Sequence, residues 1–389
     1  MHSGRTVFAQ LMDFVPRYEF NRCVQRYDGN WRVRDFSCFD QFLCLAFAQL
    51  TGCASLREIV TRLGAMQSKL YHSGFRGSLA RSTLADANEQ RDWRIYYDFA
   101  QVLINIARPL YATDSFGVDL EQTAYALDST VIELCLALFP WARYQRDCGA
   151  VKLHTVIDLR GNIPCWIYIS DGKTHDVSVL DELVPEPGAF YIMDRGYIDF
   201  ARLAVFTRNL SYFVVRARDN LACRRGHYRL VDHATGLRSD HDITLRTRHS
   251  AERYPYPLRR VSYYDCEYHR RLVFLTNNFL LEALKIPQLY KCRWQVELFF
   301  KWIKQHLQIN GFYGTSGNAV RVQVWSAISV CVLMAIMKKR LHIERSLAEI
   351  QQILSISLFE QVPIYQQLTS KTPRIERASS CNQLKLWDF

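Results

Sequence analysis

Apolar positions recur at helical spacing through residues 1–110, then give way to unbroken apolar runs from about Val118. A period near 3.6 marks helices that bury one face, and short continuous runs mark buried strands. Phe36 to Leu50 mixes aromatic and aliphatic residues at helical spacing. Ser55 to Leu63 predicts a short amphipathic helix, with Ser55 as its cap and Glu58 three residues on. Ser82 to Asn88 follows a basic, glycine-containing loop, His72 to Arg81, and reads as a turn leading into a helix. Further on, strands are expected at Ala124–Ile132, Val151–Leu159 and Ile163–Ile169, the last two joined by the turn Arg160-Gly161-Asn162. A short helix at Asp176–Leu183, capped by His175 or Asp176, precedes a strand at Ala189–Asp194. A helix at Phe200–Asn209 and a strand at Tyr212–Arg216 complete an α/β pattern: a mixed sheet with helices packed against it.

Residues 216–271 break this rhythm. They hold 13 Arg, no Lys and 7 Asp or Glu, a net 13 − 7 = +6 out of +11 for the whole chain. Tyrosines are interleaved, and alternating stretches such as Ile243-Thr-Leu-Arg-Thr-Arg predict β structure. The guanidinium fork binds phosphate oxygens bidentately and tyrosine rings stack on bases, so this insertion suits nucleic acid. A β insertion with an ordinary charged surface is the alternative.

The basic balance, pI about 9.1, favours a polyanionic partner, nucleic acid before an acidic membrane surface. The apolar run Val324 to Met337 is interrupted by Ser326 and Ser329 and is short for a span, so a buried core helix is expected and no membrane partner. The twelve cysteines include no C-x-x-C pair, and the Met1 region carries no signal-peptide core. Free thiols and a cytoplasmic location follow. Gly172-Lys173-Thr174 lacks the upstream glycine of a phosphate-binding loop.

The segment from Tyr290 to His306, wound as a helix at about 100° per residue, sorts into two stripes. Tyr290, Arg293, Glu297, Lys301 and Lys304 share a polar face; Val296, Phe299, Phe300, Ile303 and Leu307 share an apolar one. One carboxylate ringed by three cations and a tyrosine suits a site that holds a divalent metal and a phosphate together. An i,i+4 pair on a surface helix is the plainer reading.

Two further acids stand out. Asp128 interrupts an apolar strand, and Asp194 ends another, followed by Arg195-Gly196-Tyr197. A buried acid normally has a partner, and hard oxygens suit Mg²⁺ or Mn²⁺. Two such ions can promote an in-line phosphoryl displacement. A strand-end cap at Asp194, a hydrogen-bonded acid at Asp128 and a surface pair at Glu297 are the alternatives. His175 and Asp176, close before a helix, could reach the same cluster; a turn and helix cap is the preferred reading.

Tyr290-x2-Arg293-x3-Glu297-x6-Lys304 resembles the Y-R-E-K signature of DDE transposases of bacterial insertion sequences, the insertion-sequence-four family. Leu127-Asp128-Ser-Thr and Met193-Asp194-Arg-Gly-Tyr resemble its first- and second-aspartate motifs. The likeness covers roughly residues 118–340. It implies a ribonuclease-H-like catalytic fold at residues 116–345 with the β-rich insertion at about 216–271. A helical, DNA-binding domain at 1–115 would precede it, and a C-terminal helix and tail at 346–389 would follow. It implies that Asp128, Asp194 and Glu297 bind two Mg²⁺ (or Mn²⁺) ions. Tyr290, Arg293 and Lys304 would contact DNA near the cut, with Lys301 and Arg195 beside them. The activity implied is cleavage and strand transfer on double-stranded DNA, terminal inverted repeats and target, by a homodimer on paired ends. A non-cutting regulator of the same ancestry and a nuclease that only hydrolyses DNA are the alternatives. Some relatives stack an extruded base on a tryptophan of the insertion; residues 216–271 contain none, leaving Tyr254, Tyr263, Trp294 or Trp302 as substitutes.

Overall fold

The computed structural model describes residues 4–75, 79–144, 149–306 and 312–369. Nine strands form one sheet: β1 Ala124–Leu134, β2 Gly149–Asp158, β3 Ile163–Asp171, β4 Phe190–Met193, β5 Tyr212–Arg216, β6 Cys223–Arg229, β7 Leu237–Leu245, β8 Leu258–Asp265 and β9 Arg270–Thr276. Their order is β3-β2-β1-β4-β5-β9-β8-β7-β6. β1, β2 and β3 pair antiparallel, whereas β4 and β5 run parallel to β1. This is the expected ribonuclease-H-like mixed sheet flanked by helices. The insertion does not fold apart from it: β9 pairs with β5, so β6–β9 extend the same sheet.

The β2–β3 turn follows from its residues. Gly161 at φ 78° and Asn162 at φ 55° supply the two left-handed positions of a tight hairpin. The Asp158 carboxylate accepts the Arg160 N–H at 3.0 Å and closes the turn. Any Cβ at Gly161 would also meet the Tyr111 ring at 2.3 Å.

Alternation along the strands gives the sheet two covered faces. One face carries Ala126, Ile157, Ile192, Val214, Val261 and Phe274 and merges with the helices into a single core reaching from Val7 to Leu368. The other carries Tyr125, Leu127, Tyr191, Met193, Phe213 and Leu275 under the Phe200–Arg208 helix. The Gly317–Arg340 helix is the axis of the first core. It is long and apolar enough to cross a membrane, but 94% of its apolar window is buried within the protein. It is longer than the apolar run alone predicts, because Gln323 and the serines are accommodated inside: Gln323 accepts the Tyr313 N–H, and the Ser329 hydroxyl donates to the Trp325 carbonyl.

The N-terminal helices form as expected. Cys38–Thr51 is capped by Ser37 in a capping box with Asp40. Leu56–Ala65 is capped by Ser55, which accepts the Glu58 N–H; the Glu58 carboxylate reaches back to the Ala54 N–H instead of the cap's own. Arg81–Gln90 takes the place of the helix expected after the basic loop. At the other end, Leu347–Ser357 and Ile364–Thr369 are helical. Leu307 and residues 370–389, most of the expected tail, lie outside the described residues.

The single helix expected over Tyr290–His306 is two helices, Lys285–Cys292 and Trp294–His306, meeting at Arg293. Arg293 N–H bonds the Tyr290 carbonyl, and Val296 N–H bonds the Arg293 carbonyl, three residues apart in each case. The tighter turn re-aims Arg293 without ending the run.

Candidate functional site: three acids around one guanidinium

Asp128 and Asp194 come from neighbouring parallel strands. The register sets Ala124 beside Phe190 and Ala126 beside Ile192, and both aspartates lie two residues further on. Adjacent strands are about 4.8 Å apart, so the two acids sit side by side at the end of the sheet. Both share the face of Ala126 and Ile192, where the Trp294–His306 helix packs through Val296, Phe299, Phe300 and Ile303. That packing turns Glu297 toward the same edge.

Arg293 ties the group together. One Nη is 2.5 Å from Asp128 Oδ2 and the other is 2.5 Å from Glu297 Oε1. The guanidinium side chain is 16% exposed, that of Asp128 20% and that of Glu297 32%. Burial pushes the Asp128 carboxyl up to about 6; the Ser129 N–H and Arg293 oppose this, and the charges of Asp194 and Glu297 add to it. Burial also opposes the charge on Arg293, yet Asp128, Tyr290 and Glu297 together hold it above its ordinary value. Three acids thus feel one another, and a single cation offsets two of them.

Local structure fixes each acid. Asp128 Oδ1 accepts the Ser129 N–H at 2.8 Å. Asp194 caps the turn Arg195–Tyr197, its Oδ1 accepting the Gly196 N–H at 2.5 Å. A Cβ at position 196 would stand 2.8 Å from that oxygen, which explains the glycine. Tyr197 then plugs the opposite core, 2% exposed. Arg195 and Lys301 are exposed, and Lys304 is half-buried. Tyr290 packs against Phe274 with the rings tilted, 4.9 Å between centroids, and Arg293 lies 5.7 Å over its ring. Burial raises its hydroxyl pKa, and the charges of Arg293, Asp194 and Arg216 all act on it.

Among the described residues no group of three His, Cys, Asp or Glu is already arranged to hold a metal ion. The donor chemistry nonetheless fits a hard divalent cation. The acids offer carboxylate oxygens, and the repulsion that Asp194 and Glu297 exert on the half-buried Asp128, with one guanidinium shared between two of the three, is what such an ion would offset. Arg293 holds the place of positive charge among them.

Two further residues stand beside the acids, one weighed in the sequence and set aside as a cap, the other missed. Asp176 does not act as a helix cap: its Oδ1 accepts the Ser129 hydroxyl at 2.7 Å and Lys152 Nζ at 3.2 Å. Lys152 also donates to the Thr174 carbonyl at 2.8 Å. His175 occupies the cap position but its side chain makes no capping bond. The signal was Lys152 itself, a cation inside an apolar strand that must find a partner. Behind it His154 is fully buried, bonded to Ser170 Oγ at 2.9 Å, with burial lowering its pKa to about 4. Arg216, at the end of β5, is the second: it is the charged residue nearest the tyrosine from that strand, and composition alone merges it with the insertion. Of the aromatics weighed as base-stacking substitutes, Tyr254 is 1% exposed and bonded to Thr207, Tyr263 and Trp302 are half-buried, and Trp294 is 57% exposed on the Glu297 helix.

A mixed sheet thus sets Asp128, within one strand, and Asp194, just past the end of the next, beside a helix-borne glutamate and a basic cluster. Residues 119–334, more than half of the chain, match the model described as Transposase DDE domain, and residues 3–76 match Domain of unknown function (DUF4372). The chain belongs to the DDE transposase domain family. It is 31% identical over 238 residues to the transposase-named y4zB of Sinorhizobium fredii, covering 60% of this chain and 66% of that one. It is 30% identical to the transposase named for insertion sequence element IS5377 of Geobacillus stearothermophilus, covering 54% and 55%. A third relative, named for insertion sequence element IS4SA of Synechocystis, is 24% identical over 82% of this chain and 88% of its own. The chain therefore spans just under two thirds of the first relative and about half of the second. A structure of the piggyBac transposase synaptic complex with hairpin DNA superposes with a TM-score of 0.49 and 11% identity, over 94% of this chain and 82% of that one.

Proposed function

We propose that the chain is a transposase that binds the ends of an insertion sequence and catalyses metal-dependent strand cleavage and strand transfer. The observation that carries this reading is the convergence of Asp128 and Glu297 on Arg293, with Asp194 on the adjacent strand. Asp128, Asp194 and Glu297 would hold two Mg²⁺ or Mn²⁺ ions. When bound, those ions supply an activated water or 3′-hydroxyl and offset the charge of the leaving oxygen. The protein's own groups do the rest. Ser129 and Gly196 N–H groups fix the orientation of the two aspartates. Arg293, now paired with Asp128 and Glu297, would turn its fork toward the scissile phosphate if those carboxylates held a cation. Tyr290, Lys301, Lys304, Arg195 and Arg216 surround that position and orient the strand.

In this reading residues 1–115 contribute DNA contacts, residues 116–345 carry the chemistry, and two copies pair the ends. The test incubates the purified chain with duplexes bearing the terminal inverted repeats of its source element and Mg²⁺. Nicking at the repeat end followed by joining of the 3′-hydroxyl to a second duplex is expected. Cutting without joining would make the chain a nuclease, and binding without cutting would make it a regulator.

A further inference from the structure

The arginines of residues 216–271 do not form one surface, because strand alternation divides them between the two faces of the sheet. On the face that carries the three acids, two of them, Arg229 and Arg259, are neutralised by the acids of β7. Arg259, 3% exposed, donates to both oxygens of Asp240 at 2.9 and 2.7 Å. Arg229 lies 2.6 Å from Asp242 and 3.6 Å from Asp240. These pairs are structural, and they account for the acids of β7.

On the opposite face the pattern reverses. The register sets Tyr228 against His241, and His241 against Arg260. Arg225 stands opposite Ile243 on that face. Arg271 on β9 donates to Ser262 Oγ at 2.8 Å. Arg260 Nη1 and His241 Nδ1 are closed off from solvent and have no hydrogen-bond partner. Burial above all, with the charges of Arg225 and Arg271 adding to it and Cys223 opposing, pulls the Arg260 guanidinium below its ordinary value. Burial, Arg225 and Arg260 likewise lower His241, against the pull of Asp240, which is itself committed to Arg259 on the other face. Among the described residues no carboxylate is bonded to Arg225, Arg260 or Arg271. A half-buried cation crowded by cations is held at a cost that a bound anion removes.

We propose that Arg225, Arg260 and Arg271, with His241 and Ser262, form a binding site for the phosphodiester backbone of duplex DNA on the sheet face opposite the catalytic acids. The identity of the ligand rests on the transposase reading. The placement adds something to it. A backbone lying on this face is a different stretch of DNA from the one whose phosphate meets Asp128, Asp194 and Glu297. The site is a fixed grip for a second segment.

The test measures binding of a labelled duplex of arbitrary sequence to the full chain across a salt series, by fluorescence anisotropy. Arg225 and Arg271 are exposed, so the Arg225→Ala/Arg271→Ala double variant keeps the fold, as checked by circular dichroism and melting. Each lost phosphate contact lowers the slope of log K against log salt by about 0.9, so the double variant loses about 1.8. Arg224→Ala/Arg246→Ala removes the same charge from exposed positions outside the row and leaves the slope near wild type. An unchanged slope in the first variant overturns the site. Equal losses in both variants also overturn it, since diffuse charge then explains the binding. Failure of the wild-type chain to cut terminal repeats in Mg²⁺ counts against the transposase reading and not against a slope change confined to the first variant.

Discussion

The two halves of the sheet treat charge in opposite ways. Where Asp128 in β1 lies beside Asp194 at the end of β4, carboxylates crowd one guanidinium, and the Asp128 carboxyl rises to about 6. On the far face of β6–β9, guanidiniums crowd one another with no acid bonded to them among the described residues, and burial chiefly pulls the Arg260 guanidinium down. Between them, Arg259 and Asp240 are buried and fully matched. Matched charge holds the fold together, whereas mismatched charge marks where a ligand of the missing sign belongs. In the first region acids outnumber the cation paired with them, and in the second cations stand without a bonded acid among the described residues.

Four sets of substitutions would break or sharpen that contrast. The largest effect is expected at the acids. Asp128→Ala, Asp194→Ala or Glu297→Ala should lower Mg²⁺-dependent cleavage by roughly 10²–10³-fold or more while DNA binding survives. Gel analysis of cut ends decides this, and any one variant cutting near the wild-type rate would lose its place in the site. Next comes the matched pair. Arg259→Met strands the buried Asp240 and should cost about 3–5 kcal/mol in urea unfolding. A near-neutral result would mean that the pair is not structural and that the two arginine populations do not differ.

A smaller effect distinguishes the mismatched acid by its pH dependence. Asp128 has a folded pKa of about 6 against about 3.9 unfolded, so the native state holds the extra proton. Its stabilising share is complete below about pH 4, is lost as pH rises to about 6, and is flat above, a change of at most about 2–3 kcal/mol. Asp128→Asn should remove that slope from metal-free unfolding curves; a wild-type slope in the variant would place the titration elsewhere. Smallest is the support behind it. Asp176→Asn weakens the bonds to Ser129 and Lys152 and should reduce cleavage about tenfold, with Mg²⁺ raising the melting temperature less than in the wild type. Unchanged cleavage would make Asp176 a turn residue after all.

Much of this was legible before any coordinates. Strand and helix positions in residues 118–216 followed from apolar runs, because a buried strand or helix must show its periodicity. The Gly161-Asn162 turn followed from the need for left-handed residues. The spacing of Tyr290, Arg293, Glu297 and Lys304 singled out one helix face, and two aspartates were conspicuous for interrupting or ending apolar strands.

Other features depend on pairing across the chain, which no local pattern encodes. Composition counted the insertion's arginines together, whereas the register of β6–β9 assigned Arg229 and Arg259 to one face and Arg225, Arg260 and Arg271 to the other. Asp176 read locally as a cap, and only the approach of β1 and β2 supplied Ser129 and Lys152 as its partners. The break at Arg293 came from the need to place one guanidinium between Asp128 and Glu297, 165 and 4 residues away along the chain. Sequence thus settled which residues are anomalous where they stand. Folding settled which anomalies meet, because electrostatic partnership is a matter of a few ångströms in space and is indifferent to distance along the backbone.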